Sequence, residues 1–171
     1  MKKILSVLLC LTFCFCLAAC GNSGDVDFKS IKDADTGKVY SLGDAKSKFD
    51  DDFGASEESE YGYFSYLNGS LEVTYVDDKA IEITVDGDTN RFTFRDMKID
   101  MTSEDLAGRF TEGFGDEYSS FHKRFYDANG KDVQEDQAVY IASVHMAPKG
   151  SMFKEEGGVL GLSIMLYEYY K

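Results

Sequence analysis

Two stretches of this chain, 61 residues apart, carry the same three devices in the same order. In the first, Ser41 is followed by Asp44, then by Ala45, Phe49 and Phe53, then by Gly54. In the second, Thr102 is followed by Asp105, then by Leu106, Phe110 and Phe114, then by Gly115. A hydroxyl with an acid three residues on is a variant of the capping box that opens a helix. Apolar residues at every fourth position make one helical face. A glycine just beyond supplies the left-handed residue on which helices commonly end. Cap, stripe and stop keep one offset without a gap, so the spacing predicts two helices in an internal repeat.

Strand patterns follow each predicted helix. Residues 61–67 are crowded with aromatics. Leu71, Val73 and Tyr75 then alternate with Glu72 and Thr74, Asp77 and Asp78 turn the chain, and Ile81, Ile83 and Val85 alternate with Glu82 and Thr84. Period-two alternation on both sides of a short polar turn predicts a hairpin with one apolar face. Residues 86–90 read as a second turn and 91–99 as a further strand. In the other half, 119–126, 137–146 and 158–169 read as strands, with a turn at Asn129-Gly130. Residues 147–157, which hold the one proline, Pro148, form the longest polar break there.

The N-terminus is of another kind. Lys2 and Lys3 precede an apolar run from Ile4 to Ala19. Two positive charges, a short greasy run and a small-residue exit make a secretory signal. Leu17-Ala18-Ala19-Cys20 resembles the lipobox of bacterial lipoproteins. That resemblance implies cleavage before Cys20, a diacylglyceryl group on its thiol, and residence on the outer face of a membrane. Residues 1–19 are the expected signal, 20–38 a polar, flexible lipidated tether, and 39–171 the folded body, its repeats at about 39–99 and 100–171. Two acyl chains give stable anchoring where one is marginal.

Removing residues 1–19 discards two lysines and no acids, leaving 16 basic against 31 acidic residues, a net of −15. Such a surface argues against nucleic acid, which requires a basic face. It argues equally against attachment to anionic lipid by charge, so the membrane link is expected to be covalent. Cys10, Cys14 and Cys16 lie in the discarded segment. With Cys20 acylated, the body has no disulfide, no thiolate metal site and no cysteine nucleophile, and it is held by core burial alone.

Tyr40-Ser41-Leu42-Gly43, the helix to Phe53-Gly54, the strand at Tyr61-Gly62-Tyr63, and Met101-Thr102 through Phe114-Gly115 resemble the tandem-repeat proteins related to the beta-lactamase inhibitory protein, and the small SmpA/OmlA-type lipoprotein domains. The likeness runs over roughly residues 40–170. It implies an α+β fold of two helix-plus-meander repeats, helices packed on one face of an antiparallel sheet and the other face open for holding proteins. Two departures stand out. The inhibitor family is stapled by disulfides and this chain is not, and nothing here matches the inhibitor's enzyme-blocking loop.

No catalytic constellation emerges. His122 and His145 lack the partners at defined spacing that a metal or a triad requires, and read as structural. Serines lack an elbow or SxxK context, and Gly157-Gly158 precedes a strand where a phosphate loop would precede a helix. Asp86, Asp88 and Asn90 begin an EF-hand-like pattern, but Arg91 and Met97 stand where it needs glycine and an acid, so they read as a turn. Asp50-Asp51-Asp52 reads as a solvated helix face. The aromatics remain. Tyr61 and Tyr63 share one parity, Phe64 and Tyr66 the other, and this cluster is the expected partner-binding surface. The expectation is an anchored, non-catalytic protein-binding module with no cofactor and no metal, or else an envelope assembly accessory. An enzyme built on scattered acids ranks below both.

Overall fold

The computed structural model of the chain describes residues 27–86, 90–94, 97, 101–102, 105, 120–147 and 157–170. Cys20 and the signal segment lie outside these residues, as do 106–115 of the second predicted helix.

The alternating residues form the predicted strands. After β1 (Ser30–Asp33) and β2 (Val39–Ser41) come helix α1 (Lys46–Phe53), β3 (Tyr63–Tyr66), β4 (Leu71–Val76) and β5 (Lys79–Asp86). Then follow β6 (Phe92–Thr93), β7 (Ser120–Tyr126), β8 (Tyr140–Ala147) and β9 (Gly158–Leu166). The β4–β5 turn places Asp77 at φ 49° and Asp78 at φ 59°, the left-handed pair that a two-residue hairpin with native twist needs.

The architecture corrects the expected fold class. The chain is mostly β, with two antiparallel sheets and one helix among the fully described elements, and not two repeats with helices packed on a sheet. The large sheet runs β3-β4-β5-β9-β8-β7 and the small one β2-β1-β6. Strands of both halves merge because β5 pairs directly with β9, Ile83 opposite Ile164 and Val85 opposite Leu162. Residues 30–33, read as tether, are instead the central strand of the small sheet, and Phe28 before them is buried. Of the strand expected over 91–99, Phe92–Thr93 is strand among the described residues, and it pairs with β1.

The capping devices divide. Thr102 and Asp105 form a reciprocal box: the Thr102 amide donates to Asp105 Oδ2 at 2.8 Å, and the Asp105 amide to Thr102 Oγ1 at 3.3 Å. Ser41 and Asp44 close a turn instead. The Ser41 amide donates to Asp44 Oδ2 at 2.7 Å, but the Ser41 hydroxyl is taken by Ser30 Oγ at 2.7 Å across the small sheet. Helix α1 therefore starts later, after Ala45, without a side-chain cap. It stops where expected, at Gly54, whose φ of 89° and ψ of 151° suit glycine alone.

One core joins the sheets. On the inner face of the large sheet, Leu71, Val73, Ile83, Val85, Leu162, Ile164, Ala142 and Val144 are buried. Helix α1 lays Phe49 against Tyr40 of β2, Tyr66 of β3 and Tyr75 of β4, ring centroids 5.2, 6.1 and 5.8 Å away. Phe53 touches Tyr40, Tyr66 and Phe92 at 5.0, 6.1 and 6.1 Å. The acid triplet is only partly a solvated face. Asp50 Oδ1 accepts from the Tyr66 hydroxyl and Asp52 Oδ2 from that of Tyr40, each at 2.9 Å. Burial, opposed by the bond with Tyr75 and aided by Asp50, pushes the Tyr66 hydroxyl up to about 12.

A buried ion pair fastens the small sheet. Asp33 is 0% exposed and takes Arg91 Nε at 3.0 Å and Nη2 at 2.7 Å. The Thr36 hydroxyl and the Asp35 amide add bonds of 2.9 Å each. Burial alone would raise this carboxyl, but Arg91, Thr36 and Asp35 outweigh it and hold the pKa below the ordinary value. A lowered carboxylate contributes stability in full above its unfolded pKa, and that contribution is lost as pH falls through the folded value.

Two outcomes follow for urea unfolding. Arg91→Ala leaves Asp33 charged and uncompensated and is expected to cost about 3 kcal/mol, a loss that shrinks as pH drops through the Asp33 pKa. Gly130→Ala is expected to destabilise as well. At φ +77°, its new methyl would stand 2.0 Å from Cδ1 of the buried Phe28 ring.

Candidate functional site

The outer face of the large sheet is built from the other parity of the same strands. Residues directly opposite across a sheet share a face, so the register reads as rows. One row runs Tyr63, Thr74, Glu82, Met165, Ile141, Phe125. The next runs Ser65, Glu72, Thr84, Ser163, Ser143, Lys123. A third holds Asp86, Gly161 and His145. Short side chains therefore fall in the middle, at Thr84, Ser163, Ser143 and Gly161, and longer ones surround them. The result is a cleft of about 350 Å³ open to solvent, with Tyr170 at its rim. Small-ligand sites begin at about this size.

The walls differ in charge. Glu82 and Asp86 line one side, with Glu72 behind Thr84. Asp86 leans over the sheet: a methyl built on Gly161 would stand 3.4 Å from Asp86 Oδ1. Thr74 Oγ1 donates to Glu82 Oε2 at 3.5 Å. Burial raises the Glu82 carboxyl, the Thr74 bond opposes, and the charge of Glu72 adds to the rise. Burial likewise raises Glu72, helped by Asp86. On the other side, Lys123 donates to the Tyr170 hydroxyl and lies 4.4 Å from that ring's centroid. Tyr170 stacks on Tyr167, whose hydroxyl donates to Glu135 Oε1 at 3.1 Å. Burial lowers the His145 imidazole, against the pull of Asp86.

The four aromatics expected to bind a partner separate by parity. Tyr61 is 78% exposed and stacks on Tyr63, centroids 6.3 Å apart and planes 11° from parallel. Tyr63 heads the row that contains Glu82, so this pair shares the outer face with the cleft. Tyr66 does not bind a partner from where it stands: it is 2% exposed and belongs to the core. Phe64 faces inward with it, edge-on to Tyr75 at 5.4 Å and beneath Lys46 Nζ at 4.5 Å. The two histidines fall on opposite faces, because His122 pairs with inward-facing Val144. Among the described residues no three His, Cys, Asp or Glu side chains group to hold a metal. Asp88 of the acidic turn lies outside them.

Sequence reasoning missed the cleft itself. The alternation gives each strand an outer face, and His145 shares the parity of Ile141 and Ser143. What joins Thr84 to Ser163 is the β5–β9 pairing, which no local pattern announces.

No family model matches the chain, and no curated protein does. Among solved structures, a cysteine-rich secretory protein from Staphylococcus aureus is similar at 13% identity and a TM-score of 0.47, over 84% of this chain and 48% of that one. The chain thus spans about half the length of that protein.

Carboxyl- and imidazole-resolved NMR titration is expected to find Glu82 above the usual glutamate value of about 4.3 and His145 below about 6.5. The signs for stability differ. A raised carboxyl gives the folded state extra stability in acid, lost as pH rises through its folded pKa. A lowered histidine gives stability that is full above its unfolded pKa and lost as pH falls through the folded one.

Proposed function

We propose that this protein is a membrane-anchored, extracytoplasmic, non-catalytic binding module, and that the outer face of the large sheet is where it holds a protein partner. The observation that carries this reading is the cleft: a hollow of small-ligand size, open to solvent, on the outer face of the large sheet. Surface hollows with apolar floors and a few convergent polar groups are the default binding sites of folded domains. The stacked pair Tyr61 and Tyr63 extends the same face toward β3, and exposed tyrosine suits protein contact.

The anchor is the lipid on Cys20. The buried Phe28 is eight positions after Cys20, a reach of at most about 28 Å. The body is held close to its membrane. Among the described residues no helix is long and apolar enough to cross one. A clickable fatty-acid analogue is expected to label the full chain in cells and to leave Cys20→Ala unlabelled.

Binding is tested by comparing variants of the anchored protein after cross-linking in its native envelope. Ser163→Arg fills the cleft and is expected to lose the partner captured by the unmodified protein. Asp136→Ala, on an exposed turn away from the cleft, is expected to keep it. Tyr63→Ala is expected to weaken capture about tenfold, roughly 1.4 kcal/mol, with an unchanged melting temperature. Equal capture by all three sinks the reading. A stable multiprotein complex, in place of a single target, favours the envelope-assembly alternative.

A further inference from the structure

Glu82 sits on an interior strand, between β4 and β9, and is partly buried. Glu72 faces the same way from β4, opposite Thr84 and diagonal to Glu82. Among the described residues neither carboxylate has an ion-pair partner; the Thr74 hydroxyl is what Glu82 receives. Two like charges held together against a sheet cost stability unless a cation joins them. The cleft's own cation, Lys123, is held on the far wall by the ring and hydroxyl of Tyr170, and burial of the His145 ring disfavours its charged form. Among the described residues no positive charge is paired with Glu82.

The shape of the cleft narrows the occupant. From Glu82 the row continues to half-buried Met165, an apolar floor next to the carboxylate, and beyond it to Ile141, which is only 2% exposed. Alongside run the hydroxyls of Thr84, Ser163 and Ser143, which accept hydrogen bonds. A group that satisfies all of these has a cationic head with several N–H donors on a stem of a few methylenes. Lysine and arginine side chains are built that way, burying the stem while the head stays polar.

We infer that the cleft receives a lysine or arginine side chain presented by a partner protein, its stem on Met165 and its cation against Glu82. This rests on reading the outer face as the binding face, and it goes further by naming what that face selects. Its charge agrees with the body's excess of acids, which draws basic partners and repels acidic ones.

The test uses the mature lipidated chain, residues 20–171, in nanodiscs, with methyl-labelled methionine and the Met165 signal assigned by Met165→Leu. Titration with N-acetyl-lysine methylamide is expected to move that signal saturably. The neutral analogue, acetylated on the side-chain nitrogen, is expected to bind about tenfold more weakly, and so is the lysine probe to Glu82→Gln. Calcium chloride alone is expected to leave the signal in place. An unmoved Met165 methyl, binding by the neutral analogue or by Glu82→Gln within threefold of the reference, or a shift driven by calcium overturns the inference. Glu82→Gln is expected to melt no lower than the unmodified protein; a lower melting point makes Glu82 part of the fold's framework and overturns it as well. In the capture experiment the two ideas separate. Partner lost by Ser163→Arg and kept by Glu82→Gln removes the basic side chain and leaves the face, whereas partner kept by both removes the face.

Discussion

Two phenylalanine rings hold this fold together. Phe49 and Phe53, one helical turn apart on α1, touch aromatic rings of both sheets: Tyr40 and Phe92 on the small one, Tyr66 and Tyr75 on the large one. The chain has no cysteine after Cys20 to take over that duty. Burying one such ring is worth about 1.5–3 kcal/mol before packing gains are counted. The helix also answers the polar ends of the rings it meets. Asp50 and Asp52, beside the two phenylalanines in sequence, accept from the hydroxyls of Tyr66 and Tyr40, so tyrosine can be buried there without an unmet donor.

With the inner face secured, the outer face is free to be shaped by other needs. Its rows place small hydroxyl residues at the centre and acids to one side, a composition that does nothing for the core. Glu82 in particular is held on an interior strand at some expense to stability, and residues kept on those terms are found where a protein meets something else. The Tyr170–Lys123 contact has the opposite character: it holds a cation on the far wall. The two walls are thereby kept different.

Much of this was legible in the residues. The β4–β5 hairpin was written in the alternation of residues 71–85 and in its Asp77-Asp78 turn, because a half-buried strand repeats every two residues. Parity alone separated Tyr61 and Tyr63 from Phe64 and Tyr66. Other features were not. Residues 30–33 look polar because β1 spends its buried Asp33 and Ser30 on polar partners, Arg91 and Ser41, that lie far along the chain or across a turn. Ser41 promised a helix cap, yet its hydroxyl found a better-placed partner in Ser30. The repeat suggested two units, but equal local devices do not say which strands meet, and the pairing of β5 with β9 merged the halves.

That pairing has a bearing on how the molecule is made. β9 follows every other strand in sequence, yet it lies in the interior of the large sheet, with β5 on one flank and β8 on the other. Until it arrives, β5 presents a long apolar edge with its backbone groups unmatched, a template for wrong pairing. Contacts that span some eighty residues, as between Ile83 and Ile164, also form slowly, since the intervening loop must close before they reward it. A chain that emerges N-terminus first would therefore stand half-built, its central seam open, until the closing strand arrived.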